Sequence, residues 1–330
     1  MPTVLVTGAA GYVGSHCCKA FAQAGWRVVG FDSLVRGYRD LVRWGPLIQG
    51  DITDPAALAA AFAETKPDAV AHFAAFASVG ESIRAPETYY LINVGGTLNV
   101  LNAMRDAGVG QLLFSSSCAT FGVHDNLITE ETPQAPINPY GASKLMGERM
   151  IHDFSAAFGL RAVILRYFNA AGCDADLETG ERNTHDPRII PQVIRGAMDG
   201  GFTLTINGND FETRDGTAVR DYVHVSDLAD AHRRALGWLA ASKETAVFNL
   251  GTGRGASIEE LAAAVETISG RPVAKQYGPR REGDPPSLVA NAAKAERELG
   301  WRPRHSDMET IIRTAWAWAE KERASSGAVL

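Results

Sequence analysis

The sequence predicts an α/β protein, a doubly wound parallel sheet with a smaller mixed α/β unit after it. Three observations predict this. Short β-branched runs alternate with longer helical patterns through the first half, the rhythm of a parallel sheet covered on both faces. A glycine-rich turn joins the first run to the first helical pattern. After Asn169 the rhythm breaks into a stretch rich in Gly, Pro and charge through about Arg188 and resumes less regularly, which marks a second unit.

Thr3 to Thr7 opens the series as a strand. Val13, Cys17, Ala20, Phe21 and Ala24 then share one face at helical spacing, and Arg27 to Phe31 returns as a second strand. Further strands are expected at Leu47 to Gln49, Ala69 to Phe73, Gln111 to Phe114 and Arg161 to Leu165, separated by helices near 55–64, 93–107 and 140–158. Residues 1–170 should form the first domain, completed by a segment within about 220–250, and 171–330 the second, interleaved with it. The closing AWAWAEKERASSGAVL should end a last helix and fray.

Composition bounds the function. Of 330 residues, 45% are hydrophobic and 21% charged, as in an ordinary globular chain. The formal net charge of −6 argues against a reader of nucleic-acid phosphates. Cys17 and Cys18 are adjacent, so a mutual disulfide would be strained, and Cys118 and Cys173 follow strand-like runs without metal-ligand spacing. No metal site is expected, and four buried thiols suit a reducing cytosol. No basic leader precedes the first apolar run, and no stretch approaches the roughly 18 apolar residues of a membrane span. A cytoplasmic location is expected.

Gly8, Gly11 and Gly14 form a GxxGxxG turn between strand and helix. Glycines there allow a tight turn, close approach to a pyrophosphate and tight helix packing, so the first domain reads as a Rossmann-type dinucleotide site. Asp32 follows the second strand, where a carboxylate accepts hydrogen bonds from an adenosine ribose and repels a 2′-phosphate. NAD is therefore favoured over NADP. Arg36 works against that inference, since a nearby arginine can accommodate the 2′-phosphate.

Tyr140 and Lys144 stand at i and i+4, on one face if a helix begins near Pro139. A lysine ammonium can lower a tyrosine from its ordinary value of about 10 toward neutrality and make it a usable base. The pair follows a strand ending in Ser115, Ser116 and Ser117, and open parallel sheets receive ligands at strand carboxyl ends.

Together the GxxGxxG turn, the strand-end serine and YxxxK resemble the extended short-chain dehydrogenase/reductase superfamily, and within it the UDP-glucose 4-epimerase (UDP-galactose 4-epimerase) family. The resemblance runs nearly the whole length, through HFAAFASVGES (72–82), FSSSCATFG (114–122), NPYGASKLMGE (138–148), LRYFNAAG (165–172), GTAVRDYVHVSDLADAH (216–232), FNLGTG (248–253) and PRREGDPP (279–286). It implies that Tyr12 and Val13 cover the pyrophosphate, that Asp32 holds the ribose, and that Asp51 and Ile52 bracket the adenine. Phe73, Ala74, Ala75 and Asn93 would line the cofactor groove, with Phe168 near the nicotinamide.

The same likeness makes Tyr140 the general base, Ser117 its partner at the reacting hydroxyl, and Lys144 the ligand of the nicotinamide ribose. Asn169, Thr205, Ile206, Asn207, Arg220, Arg281 and Asp284 would bind the UDP-sugar. The reaction implied is reversible C4 epimerisation of UDP-glucose and UDP-galactose through a transient 4-keto sugar, with NAD held throughout. The alternative is 4-epimerisation of UDP-xylose and UDP-arabinose, or of a UDP-uronic acid. Sugar dehydratases carry an acid after the strand-end serine, which Ser117-Cys118-Ala119 lacks.

The chain departs from the family at three positions. Ala77 stands where well-known members carry a cofactor-contacting lysine, which predicts weaker NAD retention. Leu288 stands where residue size restricts or admits N-acetylated sugars. Arg188 matches, across a gap, an asparagine near the substrate. A homodimer joining the helices near 93–107 and 140–158 is implied; Val94, Leu98, Leu101, Met104, Leu145, Met146 and Met150 suit either that interface or packing on the sheet.

Overall fold

Strand formation follows the β-branched runs, and pairing carries several strands past their predicted ends. A computed structural model describes residues 1–124, 127–182, 188–200, 202–242, 244–281 and 284–327. Glu282 and Gly283 of the PRREGDPP stretch and the last three residues of the expected C-terminal fray lie outside the described residues. The first six strands are β1 (Thr3–Thr7), β2 (Arg27–Asp32), β3 (Leu47–Gln49), β4 (Ala69–His72), β5 (Gln111–Ser117) and β6 (Arg161–Tyr167). After them come β7 (Asn169–Ala171), β8 (Thr203–Asn207), β9 (Val219–Arg220), β10 (Tyr222–His224) and β11 (Ala246–Leu250). The last three are β12 (Ala256–Ser257), β13 (Ala274–Gly278) and β14 (Ser287–Leu288).

Seven of these form one parallel sheet in the order β11-β6-β5-β4-β1-β2-β3. β5 continues through its three serines because Ser115, Ser116 and Ser117 pair with Leu165, Arg166 and Tyr167 of β6. Main-chain pairing there overrides the low strand propensity of serine.

Helices α1 (Tyr12–Gln23), α2 (Pro55–Thr65), α3 (Val79–Arg84), α4 (Pro86–Tyr89), α5 (Gly96–Asp106) and α6 (Pro139–Phe158) cover the sheet, with α7 (Ile189–Asp199) and α8 (Val225–Ala241) after them. A π-helical segment, Tyr90–Gly95, leads into α5, so the helix expected near 93–107 is longer and bulged. The chain ends with α9 (Ile258–Ser269), α10 (Ala293–Leu299) and α11 (Met308–Gly327).

Alternation along the strands sends side chains to two cores. Val4, Val6, Leu113, Val163 and Leu165 meet Cys17 and Phe21 of α1 and Leu228 and Leu236 of α8. Leu5, Leu112, Phe114 and Ile164 meet Leu58 and Phe62 of α2, Leu101 and Met104 of α5 and Ile151 of α6. Leu101 and Met104 therefore belong to the sheet packing and not to an outer face, whereas Leu98 and Met146 are exposed. A third core joins α7, α9 and α11 beside the β8–β13 pair.

All four cysteines are buried free thiols. No described helix is long and apolar enough to cross a membrane.

Candidate active site

Three strand ends, those of β1, β2 and β4, meet at the glycine-rich turn. Gly8 takes a φ of +75°, and a Cβ there would fall 2.5 Å from the Ala74 amide nitrogen. A Cβ on Gly14 would fall 2.1 Å from the Gly8 carbonyl oxygen. Only glycine fits either position. Gly11 is the N-cap of α1, whose first turn has no side-chain cap and no acidic residue, leaving its N–H groups and positive dipole end to face an anion.

Asp32, buried at the end of β2, accepts from Ala10 N at 3.0 Å and Leu34 N at 2.8 Å. Burial pushes its carboxyl up, and these two N–H donors pull it back. Asp51 Oδ1 accepts from the Thr53 amide and hydroxyl at 2.8 and 2.7 Å, while Ile52 is buried against Gly96. The half-buried Tyr12 and Val13 open α1, and the Tyr12 hydroxyl donates to Gly172 O at 2.6 Å. Phe73 packs on His232, with ring centroids 4.9 Å apart, and Ala74 and Ala75 are half-buried beyond it.

Asn93, expected to line the groove, is buried and braces the loop after β4. Its amide accepts from Phe76 N at 2.8 Å and donates to Phe76 O at 3.0 Å and Ser143 Oγ at 2.9 Å. These bonds tie the π-helical segment to the loop after β4 and to α6. Ala77 is exposed. The glycine cradle, the uncapped helix end and the buried acceptor after β2 fit the pyrophosphate and ribose of a dinucleotide.

At the carboxyl ends of β5 and β6 the chemical residues gather. Asn138 caps α6 by accepting from Gly141 N at 2.9 Å, and Pro139 occupies its first turn, a favoured start. A Cβ on Gly141 would fall 2.1 Å from Ala119 O, so α6 begins pressed against the turn after Ser117. Tyr140 and Lys144 are both buried, at 9% and 4% exposure, one turn apart. The Tyr140 phenol lies beside the Ser117 side chain, and Ser117 Oγ accepts from Ala119 N at 3.1 Å.

Burial pushes the Tyr140 phenol up from its ordinary value; Ser117 and the Arg188 charge act in the opposite direction and Cys118 adds to the rise. On balance the phenol stands above its ordinary value, the opposite direction to the lowering expected from Lys144. Lys144 Nζ instead donates to Ser115 O at 2.8 Å and lies 5.2 Å from the Phe114 ring centroid. Burial brings Lys144 down to about 8, against the pull of Glu148.

Arg220, Asp284, Arg281 and Asn207 form a connected polar rim. The Arg220 guanidinium is paired with Asp284 and donates to Val219 O at 2.7 Å. Asp284 N donates to Arg281 O at 3.1 Å. Arg281 donates through Nη2 and Nε to the Asn207 amide oxygen at 3.1 Å each, in the amide orientation that satisfies both residues. Thr205 Oγ1 accepts from Gln276 at 2.8 Å. Ile206 is 1% exposed in the third core, so only its main chain can serve the rim; strand alternation turns its side chain inward. Asn169 N donates to Asp221 O at 2.9 Å. Phe168 packs with Cys118, Phe121, Ile128, Ala290 and Leu288.

Three residues of the site were not singled out from the sequence, and one was left in doubt. The Tyr89 ring meets Tyr140 edge to face at 6.4 Å. Glu81 binds the Tyr89 hydroxyl at 2.9 Å. Asp221 gathers the loop after β11, accepting from Thr252 N, Thr252 Oγ1 and Gly253 N, and also from Ala290 N. Arg188, matched only across a gap, lies 4.7 Å over the Tyr12 ring and donates to Glu181 at 2.9 Å and Ala170 O at 3.1 Å. Asp221 lies well before the FNLGTG loop it gathers, so nothing local in the sequence signals the contact.

A family model described as the NAD dependent epimerase/dehydratase family matches residues 4–251. A UDP-glucose 4-epimerase of Rhizobium leguminosarum bv. trifolii is 47% identical over 320 residues, covering 97% of this chain and 98% of that protein. The crystal structure of a UDP-glucose 4-epimerase from Brucella ovis with NAD aligns with a TM-score of 0.93 at 46% identity, over 96% of this chain and 98% of that one. A UDP-glucose 4-epimerase from Stenotrophomonas maltophila, solved with NAD and formylated UDP-arabinopyranose, aligns with a TM-score of 0.94 at 39% identity over 100% of both chains.

Proposed function

The chain belongs to the UDP-glucose 4-epimerase family, within the NAD-dependent epimerases and dehydratases, and from that premise we propose how its residues invert C4 of a UDP-hexose. The reaction is the reversible epimerisation of UDP-glucose and UDP-galactose with NAD as cofactor. The observation that carries the assignment of roles is that buried Tyr140 and Lys144, one turn apart on α6, lie at the carboxyl end of β5, with Ser117 beside the phenol and Lys144 donating to Ser115 O.

The C4 hydrogen has no adjacent carbonyl to acidify it, so a side chain cannot remove it as a proton. NAD, when bound, supplies the hydride acceptor at C4 and returns the hydride. Tyr140, as phenolate, takes the O4 proton and later gives it back, and Ser117 holds O4 by a hydrogen bond. Lys144 holds the nicotinamide ribose and carries positive charge toward the phenolate. The 4-keto sugar must present its other face before reduction, so the nucleotide stays anchored while the sugar turns. Arg220 and Arg281 are the anchors, since a guanidinium has five donors and keeps N–H edges for phosphate beyond its bond to Asp284 or Asn207.

Gly8, Gly11, Tyr12, Val13 and Gly14 take the pyrophosphate and Asp32 the ribose; Asp51 and Ile52 flank the adenine. Phe73, Ala74, Ala75 and Phe168 line the groove toward the nicotinamide, and Asn169, Thr205, Ile206, Asn207 and Asp284 complete the sugar nucleotide's rim. Residues 1–170 with part of 220–250 are the cofactor domain and the remainder the sugar domain. Ala77 brings no cation to the groove, which favours NAD that exchanges more readily than in lysine-bearing relatives.

Leu91, Leu98 and Met146 are 64%, 39% and 44% exposed on the π-helical segment, α5 and α6, and such a face suits a homodimer packed helix against helix. Four buried thiols suit a cytoplasmic location.

The test is conversion of UDP-galactose to UDP-glucose by the purified protein, with and without added NAD. Tyr140→Phe should lose activity by about 10²-fold or more. Conversion that survives in that variant overturns the role of Tyr140. No conversion by the parent protein moves the substrate to UDP-arabinose, UDP-xylose or UDP-glucuronate.

A further inference from the structure

Asp32 ends β2 and Arg36 follows it in the next loop, so opposite charges flank the exit of that strand. A Cβ on Gly37 would fall 2.7 Å from Asp32 Oδ1, so the main chain next to Arg36 touches the carboxylate that marks the ribose. An arginine so close to the end of β2 could bind a 2′-phosphate and offset the repulsion from Asp32. The structure gives that guanidinium another partner. Arg36 Nη1 donates to Glu81 Oε2 at 2.8 Å and Nη2 to Glu81 Oε1, a two-point pair. Its face lies 3.5 Å from the Phe76 ring centroid.

Glu81 is itself fixed in place. Its amide donates to Ser78 Oγ at 3.1 Å at the start of α3, and the buried Tyr89 donates to Oε2 at 2.9 Å. Tyr89 OH also accepts from Ser78 N at 2.9 Å. The carboxylate therefore cannot follow the arginine toward a phosphate, and the guanidinium fork that would grip the phosphate is already filled.

We propose that Glu81 is a specificity-determining residue for the cofactor: it withholds Arg36 from a 2′-phosphate and so keeps the groove for NAD over NADP. The proposal rests on the reading of this groove as an NAD site. Two acids then divide the task, Asp32 repelling the phosphate and Glu81 removing the cation that would compensate.

The test compares the parent protein with Asp32→Ala, Asp32→Ala/Glu81→Gln and Asp32→Ala/Glu81→Gln/Arg36→Ala. Bound nucleotides are released with acid and separated by chromatography, and NAD and NADP are each titrated calorimetrically. Asp32→Ala alone should gain for NADP only the relief of its own repulsion, since Glu81 still holds Arg36. Adding Glu81→Gln should tighten NADP by about tenfold or more, as expected for one charged hydrogen-bonded contact, and removing Arg36 should abolish the gain. Asp32→Ala/Glu81→Ala repeats the measurement with the carboxamide also gone and should give the same gain. Asp32→Ala binding NADP as tightly as the double variants, or a gain that survives loss of Arg36, overturns the proposal while leaving the NAD site intact. A parent protein that binds neither nucleotide overturns both.

Discussion

Arg166 sets its guanidinium against the Glu148 carboxylate, Nη2 to Oε2 at 2.6 Å and Nε to Oε1 at 3.0 Å, with side chains only 6% and 2% exposed. Glu148 lies one turn beyond Lys144 on α6, and Arg166 stands opposite Ser116 in the β5–β6 register. Ser116 Oγ and Gln134 Nε2 also donate to this carboxylate. The pair ties the helix that carries Tyr140 to the strand that ends in Ser117.

Removing one partner leaves a buried charge unpaired, so Arg166→Met should lower unfolding free energy by about 3–5 kcal/mol. Arg166→Met with Glu148→Leu should recover a large part of that loss, because the desolvation of both charges disappears together. Urea unfolding of the two variants checks this; equal losses would mean the ion pair is not the source.

Lys144 gives a stability that depends on pH in the opposite sense to an ordinary surface lysine. Burial takes it from 10.5 to about 8, so the fold holds this proton less tightly than the unfolded chain does. The cost of charging it is present in full below about pH 8 and disappears as pH rises toward 10.5. Lys144→Met should therefore unfold at higher urea than the parent at pH 7, by an amount of order 1–3 kcal/mol, and the advantage should shrink by pH 10. Its epimerase activity should fall sharply at the same time.

Burial also holds His16, His224 and His232 near 4 and His72 near 3, well below the ordinary 6.5. Below pH 6.5 the unfolded chain takes up protons that the fold refuses, so stability is complete above 6.5 and falls as pH drops through about 4. Each histidine adds up to about 1.4 kcal/mol per pH unit to that slope. The urea midpoint should fall steeply between pH 6.5 and 4.5, and His232→Gln should flatten it by roughly one proton's share.

Leu288 pairs with Arg220 across β14 and β9 and packs on the cluster of Cys118, Phe121, Ile128, Phe168 and Ala290. Shortening it enlarges the space beside the polar rim. Leu288→Ala should raise kcat/KM for UDP-N-acetylgalactosamine relative to UDP-galactose by about tenfold. An unchanged ratio would remove Leu288 from the control of sugar size.

Much of this architecture was legible residue by residue. Hydrophobic periodicity located β1, β3 and α2 to within a residue or so, because local apolar spacing and β-branching act over a few neighbouring positions. Gly8 and Gly14 announced the turn because backbone approach there excludes any Cβ, with Gly11 between them at the N-cap of α1. Tyr140 and Lys144 announced their shared face because a helix repeats every 3.6 residues.

The sequence by itself therefore determined the sheet, the cradle and the pairing of Tyr140 with Lys144 on one helix. Only the tertiary structure decided what those groups face: that Lys144 binds Ser115 O, that Tyr140 leans on Ser117, that Glu81 captures Arg36 and that Arg166 finds Glu148. Burial and ionic partners depend on segments brought together from far along the chain. Low dielectric and distance then decide each charge, and neither can be read from local spacing.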